Sequence, residues 1–161
     1  MLGEYLRGAV AEGKNIEART ALCLAAYLAG GAATGAGLGV VSLLAHAVQH
    51  ALGAEYGEAA AMVLPASIEF NLYHARDRYA QVAELLATAL QMDSKNLGDL
   101  LMSFYAEIGI DKALAAYALD YRVVDETLTA IAKCGGRAET NPRPVDRAGL
   151  VRILRHARQY I

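Results

Sequence analysis

Tryptophan is absent from this sequence, phenylalanine and cysteine occur twice each, and proline three times. Two cysteines, Cys23 and Cys134, cannot build a disulfide framework, so a reducing cytoplasm is the expected setting. Cys23 lies in an apolar run and reads as a buried small hydrophobe. Excess positive charge is also lacking: the formal net charge is −2, which leaves no basic stripe for nucleic acid. Sustained alternation with β-branched residues is missing too, so no strand is expected. There is no βαβ unit, no P-loop and no dinucleotide-binding glycine fingerprint. Gly35, Gly37 and Gly39 are spaced two apart and follow no strand. No internal repeat is present. Glu4 and Arg7 interrupt the N-terminus and no apolar run follows them, so no signal peptide is expected.

What is present is apolar and small. The chain has 161 residues, 55% hydrophobic and 20% charged, which suits one globular domain over 1–161 with a sizeable core. From Thr20 to Ala54 there is no Lys, Arg, Asp or Glu. That stretch is long enough to cross a bilayer. Alanine dilutes its hydrophobicity, however, and AGGAATGAGLG is expected to break it in the middle, since glycine costs about 1 kcal/mol per helix position relative to alanine. Gly31 and Gly35 match the small-xxx-small spacing of membrane helix pairs. The expectation is instead a central helix pair buried on all sides, without a membrane span.

Nearly every segment reads as helix, so the fold class is all-α with helix–helix packing. LGEYLRGAVAEG ends at Gly13. Asn15 caps IEARTALCLAAYLAG. YGEAAAMVLPASIEFNLY is expected to be interrupted or kinked at Pro65. In ARDRYAQVAELLATALQ, the residues Tyr79, Val82, Leu85, Leu86 and Leu90 share one face. A loop begins at Asp93 or Ser94, and Asn96 caps LGDLLMSFYAEIG, which Gly109 ends. Asp111 caps the short KALAAYAL. A turn at Asp120–Tyr121 precedes VVDETLTAIAK, which Gly135–Gly136 terminates. After the loop CGGRAETNPRP, Pro144, Val145 and Asp146 lead into DRAGLVRILRHARQY, whose basic end suits a helix C-terminus.

Four histidines are the main candidates for chemistry. His46 and His50 stand four apart on one helix face, with Cβ atoms about 5–6 Å apart. Such a pair supplies two metal ligands, yet zinc or iron wants three or four donors, usually with a carboxylate. Glu58 and Glu69 are the acids the next helix offers. The alternative is a half-buried pair bonded to backbone or water. His74 reads as a surface residue at a helix start. His156, among Arg152, Arg155 and Arg158, reads as part of a solvated basic face. Tyr27, Tyr79, Tyr105 and Tyr117 read as core or interface. Asn141-Pro142-Arg143 reads as a structural loop, with Arg143 facing an acidic group. Ser42 has no Asp–His arrangement that would make it a nucleophile.

The stretch GLGVVSLLAHAVQHALGAEYGEAAAMVLPASIEFN adds a resemblance. It is similar to the core of the C-terminal helical domain of iron-containing alcohol dehydrogenases, whose architecture resembles glycerol dehydrogenase and dehydroquinate synthase. The residues that carry it are Gly37-Leu38-Gly39, His46-x-x-x-His50-x-Leu52-Gly53, Tyr56-Gly57, Leu64-Pro65 and Phe70-Asn71. Flanking segments continue the likeness, through RYAQVAELLA and IGIDKALAAYALDYRVVDETLTAIAKC to NPRPVDRAGLVRIL.

The resemblance implies a lobe that binds iron or zinc beside an N-terminal lobe that binds NAD(P). The family's metal is held by one Asp and three His: a D-x-x-x-H pair, then one His from H-x-x-x-H and one from H-G. This chain begins after the point where D-x-x-x-H is expected and carries Tyr56 where H-G has histidine. Two registers stay open. Anchoring on H-x-x-x-H-x-L-G makes His46 the metal ligand and His50 the catalytic, substrate-side residue, with about one helical turn inserted and later removed. Anchoring on G-L-G and Y-G needs no gaps and puts Ser42 at the ligand position and His46 at the substrate side. The implied readings are a truncated or diverged lobe that is not catalytic alone and self-associates or binds a partner, or the metal-binding half of a split NAD(P)-dependent alcohol dehydrogenase. The expected partner is accordingly a second copy of the chain or a separate nucleotide-binding chain.

Overall fold

The computed structural model describes residues 1–93, 96–136 and 138–161, which form nine α-helices and no strand. The all-α expectation holds among them. Ser94, one of two candidate loop starts, lies outside the described residues. The chain divides into two compact units: Met1–Gly37 with Asp77–Ile108, and Leu38–Arg76 with Gly109–Ile161.

The first unit contains α1 (Leu2–Ala11), α2 (Ile16–Ala36), α5 (Arg76–Leu90, from Asp77 on) and α6 (Leu97–Ile108). Asn15 caps α2 as expected, its side chain accepting the Ala18 N–H at 3.0 Å. Asn96 accepts the Gly98 N–H at 2.9 Å at the start of α6. Arg7 of α1 is the cross-tie: its guanidinium pairs with Glu107 of α6 and donates to the Leu90 carbonyl at 3.2 Å. That carbonyl lies in the last turn of α5, where backbone acceptors lack helical partners.

Several expectations for this unit are corrected. The glycines of α2 do not break it; the helix runs on to Ala36 and stops at Gly37, whose φ of +76° suits a residue without Cβ. Single glycines weaken a helix by less than the loss of a whole turn of hydrogen bonds would. α2 is also not buried on all sides. Only Ala18 is buried along it, and Ile16, Leu24, Tyr27 and Leu28 are exposed. Cys23, on the same helix, is exposed rather than buried. In α5, Val82 and Leu85 face outward while Ala83 and Leu90 are buried, so the packed stripe is narrower than the apolar pattern. α1 ends at Ala11, short of Gly13. Tyr105 of α6 is in the core as expected, whereas Tyr27 is 78% exposed.

The second unit holds α3 (Val40–Leu52), α4 (Tyr56–Asn71), α7 (Ile110–Leu114), α8 (Tyr121–Cys134), α9 (Arg147–Ala157) and a closing 3-10 turn, Arg158–Tyr160. α3 and α4 are its centre. α3 packs on α4 and α8, and α4 packs on α9. Val40, Leu44, Val48, Met62, Val63, Val123, Ile153 and Leu154 are fully buried. Of the two expectations at Pro65, an interruption or a kink, the interruption does not occur: Pro65 sits fully buried inside a continuous α4. Ser67 donates to the Val63 carbonyl beside it at 2.7 Å. Asp120 and Asp146 cap α8 and α9, accepting from the Val123 and Gly149 amides. Asp111 lies inside the shorter α7 instead of preceding it.

The N-P-R loop supplies the polar core of this unit. Asn141 is 8% exposed and Asn71 is 4% exposed. Their amides bond reciprocally: Asn71 Nδ2 donates to Asn141 Oδ1 at 3.0 Å, and Asn141 Nδ2 donates to Asn71 Oδ1 at 2.7 Å. Asn141 Nδ2 also donates to the Arg143 carbonyl, and Asn141 Oδ1 accepts the Val40 N–H at 3.2 Å. Gly39, the N-cap of α3, has no side chain to cap its own helix. The cap comes instead from Asn141, and a Cβ on Gly39 would stand 3.1 Å from that oxygen.

Two outcomes test these packing claims. Asn141→Ala leaves the Val40 N–H, the Asn71 amide and the Arg143 carbonyl short of partners. At about 1–3 kcal/mol per buried unsatisfied group, urea unfolding is expected to show a loss of about 3 kcal/mol, and Asn71→Ala combined with Asn141→Ala should cost less than the sum of the two. Burial pushes the Tyr105 phenol up from 10.0 to about 12. Between those values the unfolded chain has released this proton and the folded chain has not, so stability falls as pH rises. The loss is about 2–3 kcal/mol across that window, and Tyr105→Phe is expected to flatten this part of the pH–stability curve.

Candidate functional site

The candidate residues stand on the outer face of α3 and at the start of α4. Burial of Val40, Leu44, Ala45, Ala47 and Val48 orients α3. Helical spacing then turns His46 and His50 outward, where both are exposed rather than half-buried. α3 closes at Gly53, whose amide bonds the Gln49 carbonyl at 2.8 Å. The short connection through Glu55 brings Tyr56, the first residue of α4, back beside α3.

His46 Nδ1 lies 2.8 Å from the Ser42 carbonyl oxygen. In the neutral ring that bond puts the proton on Nδ1 and leaves Nε2 as the nitrogen with a lone pair. The Tyr56 ring sits against the imidazole, centroids 4.8 Å apart and planes tilted by 57°. The Tyr56 hydroxyl donates to Ser42 Oγ at 3.3 Å. Ser42, His46 and Tyr56 thus form one cluster. His50, the other sequence candidate, makes no hydrogen bond, ion pair or ring contact among the described residues.

The acids offered by α4 are engaged elsewhere. Glu58 accepts the Glu55 N–H at 3.1 Å, half of a capping arrangement, and accepts the Tyr117 hydroxyl at 2.6 Å. The Tyr117–Glu58 hydrogen bond, with burial and the nearby carboxylates adding to it, holds the Tyr117 phenol above its ordinary value. Glu69 accepts from the Tyr160 hydroxyl and pairs with His156 Nε2 at 2.6 Å. His156 is therefore an ion-pair partner of α4, not only part of a solvated basic face. His74 lies exposed in the turn before α5, as expected. Arg143 makes no ion pair among the described residues: its guanidinium lies over the Phe70 ring, 4.2 Å from the centroid, and donates to the Phe70 carbonyl.

Iron or zinc requires three or four donors, usually including a carboxylate or thiolate. The cluster on α3 and α4 offers one imidazole nitrogen and two hydroxyls. Among the described residues no three His, Cys, Asp or Glu side chains converge to hold a metal ion. The described donor set does not fit the metal that the resemblance implies. Sequence reasoning missed the Glu58–Tyr117 and Glu69–Tyr160 pairs, because each joins residues far apart in the chain. No single helix among the described residues is long and apolar enough to cross a membrane; only α2 and α3 taken together carry that much apolar length.

Comparison with known proteins agrees with the helical architecture. The sequence profile of the C-terminal part of the Fe-containing alcohol dehydrogenase family matches residues 1–158. The probable alcohol dehydrogenase EutG of Escherichia coli (strain K12) is 37% identical over 114 residues, covering 71% of this chain and 29% of that protein. The NAD-dependent methanol dehydrogenase of Bacillus methanolicus is 35% identical over 126 residues, covering 68% of this chain and 32% of that protein. The 1,3-propanediol dehydrogenase of Citrobacter freundii is 27% identical over 161 residues, covering 98% of this chain and 42% of that protein. The chain thus spans less than half the length of these relatives. No solved structure matches significantly. With helices throughout the described residues and a profile match from its first residue to Arg158, the chain belongs to the iron-containing alcohol dehydrogenase family, as its C-terminal part.

Proposed function

We propose that residues 1–161 act as one helical lobe of the alcohol dehydrogenase type that is not catalytic on its own and works by self-association. The observation that carries this reading is the hydroxyl pair of Ser42 and Tyr56. In the register without gaps these two positions correspond to the second and third histidine ligands of the family. Their closeness supports that register, since ligands of one ion must converge on it. Two neutral hydroxyls bonded to each other stand where that register would place two imidazole ligands. In the same register His46 corresponds to the substrate-side histidine, and the Ser42 carbonyl and the Tyr56 ring hold it in place. The alternative register, with His46 as ligand and His50 as the catalytic residue, has less support, because His50 is exposed without a partner.

Self-association is supported by the first unit. Leu24, Tyr27 and Leu28 are exposed on α2, within a stretch free of charged side chains. An uncharged apolar helix face of this kind favours burial against another surface. A second copy of the chain offers the same uncharged face, which suits a symmetric contact. A cytoplasmic location belongs to the same proposal, in keeping with two free exposed cysteines.

The second reading is the metal-binding half of a split enzyme, joined by a separate NAD(P)-binding chain. The available Nε2 of His46 favours it. Full-length relatives are named as dehydrogenases of alcohols, methanol and 1,3-propanediol, so the composite would oxidise a small alcohol.

Metal analysis separates the two. The purified chain incubated with ferrous iron or zinc is expected to retain no stoichiometric, chelator-sensitive metal and to show no alcohol-dependent NAD reduction. Combining Ser42→His with Tyr56→His is expected to raise zinc affinity by about tenfold or more. Stoichiometric metal in the unaltered chain, lost on His46→Ala, would favour the enzyme half. Sedimentation analysis tests the association: Leu24→Glu with Tyr27→Lys is expected to shift an oligomer to monomer, and an unaltered chain that is monomeric at high concentration would reject it.

A further inference from the structure

At the end of α4 away from the α3–α4 cluster, two arginines share one aromatic ring. Phe70 is 6% exposed. Arg143, from the N-P-R loop, stands 4.2 Å from its ring centroid, and Arg152, from α9, stands 5.0 Å away. α9 reaches this position because Gly149, one turn before Arg152, lets the helix lie on the ring: a Cβ there would be 3.0 Å from Phe70 Cζ. Two guanidinium groups drawn to one ring repel each other unless an anion offsets them.

Neither arginine makes an ion pair among the described residues, although Glu69 and Asp146 line the depressions beside them. Arg143 donates only to the Phe70 carbonyl, and Arg152 makes no hydrogen bond or ion pair. The two nearby acids are committed. Glu69 holds Tyr160 and His156, and Asp146 Oδ1 accepts the Gly149 N–H at 2.7 Å. A cavity of about 430 Å³ opens between the arginines, floored by Phe70, Pro144, Val145 and Ala148. Arg152 and His156 also line an adjoining depression of about 360 Å³ with Arg155, which extends the positive surface.

We propose that this cavity binds a small molecule carrying a carboxylate or phosphate group, with the oxyanion between Arg143 and Arg152 and a short apolar body on Phe70, Pro144 and Val145. Planar guanidinium forks match an oxyanion in two-point contact. The apolar floor favours a ligand that is not wholly hydrated. Asp146 lines the same cavity, and its carboxylate disfavours dianions relative to monoanions. This inference does not depend on the loss or retention of a metal.

The test is a calorimetric titration of the full chain at fixed ionic strength, once with inorganic phosphate and once with butyrate. At least one is expected to bind saturably, with millimolar affinity or better. Saturation by butyrate alone assigns a carboxylate, and by phosphate alone a phosphate group. Arg152→Gln is expected to weaken binding by about tenfold. Arg152→Lys, which keeps the charge without the fork, is expected to fall between Arg152→Gln and the unaltered chain. Arg158→Gln serves as the control, because Arg158 lies over Tyr121, 4.8 Å from that ring centroid, and lines none of these cavities. An unchanged melting temperature in Arg152→Gln separates lost binding from lost folding. The absence of saturation with both anions, or equal effects of Arg152→Gln and Arg158→Gln, overturns the proposal.

Discussion

The first amide of α3 has no partner of its own making. Gly39 stands at the N-cap without a side chain, and the Val40 N–H is buried at a position where water cannot solvate it. Asn141 reaches it across 101 positions of sequence, while its other polar atoms engage Asn71 at the end of α4 and the Arg143 carbonyl. Thr140 adds a bond to the Leu38 carbonyl. One asparagine side chain therefore joins the start of α3, the end of α4 and the loop into α9. Such a buried network stabilises only when every member is satisfied, and here each amide group has a partner. The start of α3 and the end of α4 are anchored at the same residue, so the intervening chain is held by this clamp.

That anchoring bears on the candidate site. α3 buries one face along its full length, so its exposed strip carries Ser42, His46 and His50 in a set orientation. α4 begins close enough for Tyr56 to touch both Ser42 and His46. The geometry is that of a convergent site, but the side chains that converge are hydroxyls. Glu58 and Glu69 serve helix capping and hydrogen bonds to tyrosine and histidine. At the far end of α4, the same loop that caps α3 also places Arg143 on Phe70, so the core clamp and the two-arginine cavity share one structural origin.

Much of this was legible without coordinates. The caps at Asn15 and Asn96 are legible because capping is local: a side-chain oxygen meets an amide two or three residues on. Asp120 and Asp146 read only as a turn and a lead-in although both cap, and Asp111, read as a cap, lies inside α7. The N-P-R segment read as a structural loop, and the order of weak matches along the chain pointed to the family. Pattern reading failed where exposure depends on a neighbour. Leu24, Tyr27 and Cys23 look like core residues in an uncharged run, yet α2 leaves them exposed. Val82 and Leu85 look like part of a packed stripe, yet only Ala83 and Leu90 of that helix are buried. Apolar periodicity tells which residues share a face and not whether a second helix covers it. The glycines of α2 misled for a different reason: a modest propensity cost is spread over a helix whose remaining hydrogen bonds outweigh it.

The sequence by itself determined the helices, the local caps such as Asn15 and Asn96, and the identity of the residues available for chemistry, because those depend on local backbone preference and on composition. Only the tertiary structure decided that Tyr56 meets Ser42, that Glu58 and Glu69 bond tyrosines, and that Arg143 and Arg152 share Phe70. Each of these pairings spans a turn or a long interval of chain, and its energy comes from side-chain geometry at a distance of a few ångströms, which no local pattern specifies.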